Sequence, residues 1–386
     1  MSVLLLFAVA VAFVTAWIVL PPFHAVLIPL AVGAPEVSPL LCAAALMIAL
    51  LGGLRARRDR TARRACAIAL AAAAVAASPV ARAPWVTRDF DRAMRDALGS
   101  DSLDAPGLRS SPVSVRDVLL GMTFGSADRV QRGVRFASAG GVELTLNVYQ
   151  PQGTGLHPVI VQIYGGAWQR GTPADYSRFA GHLASLGYVV FAIDYRHAPQ
   201  WRWPAQMTDM RTALAWIRAH GASFGADVAT VGLIGRSAGG HLALMAAYDA
   251  PPVLPARAVV SLYGPTDLED GYRRPPRPDP FDIREIEEAL LGGTPDRVAA
   301  AYREASPINH VSAASPPTLL IYGARDHIVH PRYGMKLHER LRQAGVRSVL
   351  LEIPWAEHAF DAVPNGPSAQ MALYYIERFL ARTMKS

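Results

Sequence analysis

Cysteine is scarce in this chain, with two among 386 residues, Cys42 and Cys66. Both sit in apolar stretches, so neither a disulfide framework nor a cysteine nucleophile is indicated. A phosphate-cradling glycine loop, a dinucleotide fingerprint and an internal repeat are also missing, and no cofactor is expected. Eleven histidines are present, but no Cys/His/Asp set has metal-ligand spacing, so no metal is expected. Positive charge is concentrated in one place. Residues 55–64 carry six arginines against one aspartate, +5 of the formal net +7. The remainder has no basic stripe interleaved with aromatics, which excludes a nucleic-acid partner.

What is present points to nucleophilic catalysis. An apolar run at 229–234 ends in Gly235-Arg236-Ser237-Ala238-Gly239-Gly240, followed by the helix-like 240–247. Strand, Gly-x-Ser-x-Gly, helix is the form of a nucleophile elbow. The turn is so tight that only small residues fit two positions either side of the serine. Its oxygen then stands clear at a sheet edge, beside helix N–H groups that favour developing negative charge. A bare Gly-x-Ser-x-Gly also arises by chance. An oxyanion loop upstream, with an acid and a histidine following in that order, makes it specific.

All three accompany it. The buried-strand pattern at 158–164 runs into Gly165-Gly166-Ala167-Trp168, whose small residues let the main chain approach a substrate carbonyl. Gly166, Ala167 and Ala238 are the expected oxyanion donors. A second β-branched run, 317–323, empties into a loop bearing Asp326, a carboxylate placed to orient an imidazole. His327 and His330 flank it without further ligands and read as loop polarity. A third strand, 348–353, leads to His358, which lies downstream of Asp326 and just past a strand end; His338, on a helical stretch, reads as a surface residue. The order Ser237, Asp326, His358 is that of α/β-hydrolases and not of chymotrypsin-like or subtilisin-like enzymes.

From about residue 134 onward the chain resembles the carboxylesterase/lipase group of α/β-hydrolases, near its hormone-sensitive-lipase-like and feruloyl-esterase-like branches. The matching residues are Tyr164-Gly165-Gly166-Ala167-Trp168, Asp194-Tyr195-Arg196, Ala198-Pro199, Trp203-Pro204-Ala205, the elbow, Ser306-Pro307 and the loops of Asp326 and His358. The resemblance implies a mostly parallel eight-stranded sheet flanked by helices. It also implies a cap insertion over the pocket, read here at about 265–315. One departure stands out: the family often has histidine, which helps fix the oxyanion loop, where this chain has Tyr164. Isoprenylcysteine methylesterase-like proteins and arylformamidases share the Gly-Gly-aromatic pattern, so the ester class stays open. Trp168, Trp201 and Trp203 fit either a pocket lining or core packing.

The first 81 residues differ in kind. Residues 3–20, 37–54 and 65–81 are three uncharged stretches of membrane-spanning length, about 25–27 Å each as helices. The first lacks the basic flank of a signal peptide, so an anchor is expected. The arginine-rich 55–64 should stay cytoplasmic. Three crossings would then put the catalytic domain outside; if the alanine-rich third did not insert, it would face the cytoplasm. Residues 82–133 read as a polar connector whose helix packs against the cap. The expected activity is hydrolysis of small-molecule or lipid esters through an acyl-enzyme. Amide or formamide cleavage, acyl transfer, and a non-catalytic binding module of the same fold are the alternatives. Sequence leaves the oligomeric state undetermined.

Overall fold

The computed structural model describes residues 3–57 and 59–384; Arg58 of the arginine cluster lies outside the described residues. Four helices come first: α1 (Val3–Ala16), α2 (Ile28–Glu36), α3 (Ser38–Arg55) and α4 (Arg60–Leu98). After α5 (Val115–Leu120) the chain alternates between strands and helices. These are β1 (Arg129–Ala139), β2 (Val142–Gln150), β3 (His157–Ile163), α6 (Ser177–Ser185), β4 (Val189–Ile193), α7 (Ala205–His220), β5 (Ala226–Arg236), α8 (Ala238–Ala247) and β6 (Ala258–Leu262). Then follow α9 (Leu268–Arg273), α10 (Ile283–Leu291), α11 (Ala299–Glu304), β7 (Thr318–Gly323), α12 (Arg332–Gln343), β8 (Ser348–Ile353) and α13 (Pro367–Met384).

The strands form one eight-stranded sheet in the order β1-β2-β4-β3-β5-β6-β7-β8. The pairings of β1 with β2 and of β2 with β4 are antiparallel; β3 through β8 run parallel to one another. The central strands are apolar on both faces because helices cover both. Strand β1 starts at Arg129, ahead of the stretch that carries the resemblance, and escapes a periodicity reading because much of it is exposed. It joins β2 through Gly140-Gly141, both at positive φ, as a two-residue hairpin turn demands.

The N-terminal segments depart from expectation in their lengths. The first helix stops at Ala16, short of residue 20, and α2 intervenes before α3. The third stretch is only the middle of α4, which at 39 residues is about 58 Å long. No break falls at residue 81, although Pro79 and Pro84 lie inside the helix. Pro79 has no N–H to give the carbonyl of Val75, and Ser78 Oγ donates to that oxygen instead, at 2.7 Å. The alanines explain the packing. Ala62, Ala65, Ala69, Ala72, Ala73 and Ala76 are the buried face of α4, set against α1 and α3. A Cβ on Gly52 of α3 would meet the Ala62 carbonyl and Cys66 Cβ at 3.0 Å. Small residues thus let these backbones come close.

The polar end of α4 packs against β8 and α13. It joins the main core through Val86, Phe90, Met94 and Leu98, with Phe90 edge-on to Tyr375 of α13 at 5.5 Å. The Tyr375 hydroxyl sits 2.8 Å from Asp91 Oδ1 and 3.0 Å from the Thr87 carbonyl. The C-terminal helix has an almost wholly buried surface, and α4 is one reason.

Candidate active site

Strand β5, at the middle of the sheet, carries the serine. Beyond Arg236 the chain turns straight into α8, and Ser237 adopts φ 52°, ψ −124°, a conformation a non-glycine residue takes only under constraint. The constraint is visible in the glycines. A Cβ on Gly235 would lie 2.0 Å from the Gly239 carbonyl oxygen, and one on Gly239 would lie 2.3 Å from the carbonyls of Ile163 and Tyr164. The sequence argument for small residues at these two positions therefore has a direct steric basis.

The three sequence-predicted side chains converge. Ser237 Oγ stands 3.0 Å from His358 Nε2, and His358 Nδ1 donates to Asp326 Oδ2 at 2.8 Å. The other oxygen of Asp326 accepts the N–H groups of Ile328 and Val329 at 2.8 and 2.7 Å, which fixes the carboxylate. Asp326 and His358 are buried, and Ser237 lines an open cavity. The sequence reading missed Glu357. Its carboxylate is buried and accepts the N–H of His327 at 2.6 Å and of His358 at 3.0 Å. Its second oxygen receives His327 Nδ1 at 2.6 Å. One carboxylate thus ties the acid loop to the histidine loop and accounts for His327. His330 accepts the Arg332 N–H. His338 is only half-buried and bonds Ser348, so it is no simple surface residue. Among the described residues no group of three His, Cys, Asp or Glu could hold a metal.

The oxyanion loop leaves β3 and crosses directly over the elbow. A Cβ on Gly165 would stand 2.7 Å from the Arg236 carbonyl. Gly166, Ala167 and Trp168 all have positive φ, which turns successive N–H groups to one side. Among the described residues the N–H groups of Gly166, Ala167 and Ala238 find no acceptor in the chain; that of Ala238 is an orphan of the first turn of α8. Trp168 is buried and anchors the loop. Its Nε1 donates to His241 Nδ1 at 3.2 Å, and His241 Nε2 donates to the Ala305 carbonyl at 2.6 Å. Burial pushes the His241 imidazole down to about 4, so it bridges loop, elbow helix and insertion as a neutral ring. Tyr164, where the family often has a histidine, is tied to the chain that follows β4. Its hydroxyl donates to Asp194 Oδ1 at 2.5 Å and stands 2.9 Å from His197 Nε2. Burial, above all, pushes its phenol far up.

Behind the serine, Arg236 is buried, paired with Asp361 and set over the rings of Tyr176 and Phe179. Asp361 also accepts from Tyr263, whose ring lies 4.5 Å from that of His358. In front lies a cavity of about 440 Å³ lined by Ser237, His358, Gly166, Ala167, Tyr263, Phe281 and Ile286, among others. That volume suits a small-molecule ligand. Phe281 and Ile286 come from the predicted insertion. Trp168, Trp201 and Trp203 are absent from the lining.

Comparison with known proteins agrees with this architecture. The chain is 33% identical over 243 residues to the probable carboxylic ester hydrolase LipM of Mycobacterium tuberculosis, covering 59% of this chain and 55% of that protein. It is 36% identical over 237 residues to the esterase LipC of the same organism, covering 57% and 58%. The chain thus spans a little over half the length of each. A thermophilic esterase from Thermogutta terrifontis superposes with a TM-score of 0.55 at 26% identity, over 67% of this chain and 92% of that one. The BD-FAE family profile matches residues 146–341, a stretch holding the oxyanion loop, the elbow and the acid loop, and the chain belongs to that family.

Proposed function

We propose that the protein is a membrane-anchored serine hydrolase that cleaves carboxylic esters. The convergence of Ser237, His358 and Asp326 within hydrogen-bond reach carries this reading. His358 takes the proton of Ser237 as its oxygen attacks the ester carbonyl. Asp326 holds the imidazole in the needed tautomer and stabilises its cation. The N–H groups of Gly166, Ala167 and Ala238 receive the oxyanion, each such donor contributing on the order of 3 kcal/mol. Collapse of the tetrahedral intermediate expels the alcohol with the proton from His358 and leaves an acyl-enzyme. Water, deprotonated by His358, then releases the acid. Ser237→Ala should abolish both ester turnover and labelling by a fluorophosphonate probe; retained labelling would rule the assignment out.

The anchor is residues 1–81, which include the first half of α4, and the insertion carrying α9 to α11 acts as the cap. Helices α3 and α4 are long and apolar enough to cross a membrane. Their outward side chains, such as Leu46, Met47, Leu50 and Leu70, are exposed and apolar. Helix α1 with the turn after it completes three crossings. The loop holding α2 touches the catalytic domain, so both lie on one side, and the arginine cluster lies on the other. By the positive-inside rule the cluster is cytoplasmic and the active site extracytoplasmic. Single-cysteine labelling of intact cells at residue 57 and at residue 153 tests this, with reagent access expected only at the second.

A further inference from the structure

Two side chains over Ser237 come from outside the hydrolase domain. Ile28 and Val32, one turn apart on α2, share the cavity with Ser237, His358, Phe281, Ile286 and Ile328. Both precede the family-matched region of 146–341, so the family match does not account for this wall. The turn after α1 and helix α2 are each tied to the rest of the fold. At the C-terminal end of α2, buried Glu36 accepts the Ser368 N–H at 2.9 Å, in a space open only because Gly366 has no side chain. A Cβ there would stand 2.1 Å from Glu36 Oε2. Before its N-terminal end, the Val19 carbonyl accepts from Arg325 at 2.5 Å, next to the catalytic acid in sequence.

Connectivity sets where this wall stands. Helix α2 is strung between α1 and α3, so if those cross a bilayer, it lies at the boundary of lipid and water. The chain around it is apolar and uncovered: Phe23 is 72% exposed and Val26 75%, with Val19 and Leu20 close to half. Helix α5, which packs beside α3, adds exposed Leu119 and Leu120. Such a cluster is unfavourable in water and favourable against acyl chains.

We infer that α2 and α10 form two lips of an acyl-chain entrance, and that the substrate is a long-chain acyl ester drawn directly from the bilayer. The ester-hydrolase reading above is presupposed. The chain lies between Ile28 and Val32 on one side and Phe281 and Ile286 on the other, while its carbonyl reaches Ser237. Each methylene buried there should raise kcat/KM roughly fourfold until the cavity is full.

The test uses the full-length protein and p-nitrophenyl acetate, octanoate and palmitate, the last in detergent micelles and in phosphatidylcholine vesicles. The wild type should prefer octanoate to acetate by at least tenfold in kcat/KM and should attack palmitate in vesicles at least as fast as in micelles. Val32→Asp should cost octanoate at least tenfold more than it costs acetate. Val32→Ala, which preserves the helix, should cost octanoate severalfold more than acetate, and the acetate turnover that remains reports folding in each variant. Equal losses on both esters, absence of chain-length preference, or failure on vesicle-borne palmitate would overturn the inference while leaving ester hydrolysis standing. Failure on every ester, acetate included, would overturn both.

Discussion

Replacing Glu36 by glutamine should remove a pH dependence that the docking of α2 imposes on the protein. The Glu36 carboxyl is wholly buried, and burial pushes it from the ordinary 4.5 up to about 8. Two influences oppose each other there. The N–H of Ser368, in the first turn of α13, favours the anion, as does the helix dipole, by at most about 2 kcal/mol. Desolvation and the nearby Asp361 charge disfavour it and win. At about 1.4 kcal/mol per tenfold, the charged form costs roughly 5 kcal/mol. The sign follows from linkage: the unfolded chain releases this proton above pH 4.5, while the folded one keeps it to about pH 8. Stability therefore falls as pH rises across that window and is flat on either side. A glutamine amide mimics the protonated carboxyl, keeping an acceptor for the Ser368 N–H and carrying no charge. Thermal unfolding of the detergent-solubilised chain should give nearly equal midpoints for wild type and E36Q at pH 5. By pH 8.5 the variant should be the more stable by several degrees, the shift expected of a few kcal/mol. Parallel curves over the whole range would refute the reasoning and mean that Glu36 is charged and compensated in the folded state.

Other substitutions test how the site is held. Glu357→Ala strands the buried N–H of His358, at about 1–3 kcal/mol, frees His327, and lets the imidazole drift. The kcat on p-nitrophenyl acetate should fall roughly 10- to 100-fold with KM within about twofold, and Glu357→Gln should restore most of it. Trp168→Phe removes the donor that His241 Nδ1 accepts and should lower kcat about tenfold by loosening the oxyanion loop. Because His241 is held near 4, a pH–rate profile from 5 to 9 should carry no inflection from it. An inflection that His241→Gln abolishes would count against a neutral bridge. Gly239→Ala drives a Cβ into two carbonyl oxygens and should cost roughly 3 kcal/mol or more along with activity; a folded, active variant would contradict the elbow geometry.

The elbow, the three strand-end loops and the α/β alternation are legible in the sequence because each rests on local rules. Gly235 and Gly239 are small because of backbone atoms within a few residues or on the adjacent strand. Asp326 and His358 stand just past the apolar runs that form β7 and β8. Helix α10 is legible from its own pattern. By contrast, the lengths of α1 and α4 are not, because uncharged composition gives a stretch's extent only to the next proline or arginine. Ser78 carries α4 past Pro79 through one side-chain bond that no periodicity records. Glu357 is invisible because a carboxylate beside a histidine in a loop points inward or outward equally well until the acid loop is laid against it.

The sequence alone determined which hydroxyl, imidazole and carboxylate stand together, and on what kind of sheet. Those choices are written in short-range sterics and chain order. Only the tertiary structure decided what surrounds them. Glu36 and Ser368 are 332 positions apart, and Ile28 and Val32 are almost as remote from the histidine they overhang. Nothing in an apolar helix between two longer ones specifies the surface it will cover. That choice is made by complementary burial, with Glu36 entering the space Gly366 leaves, and such complementarity exists only once both halves of the chain are folded.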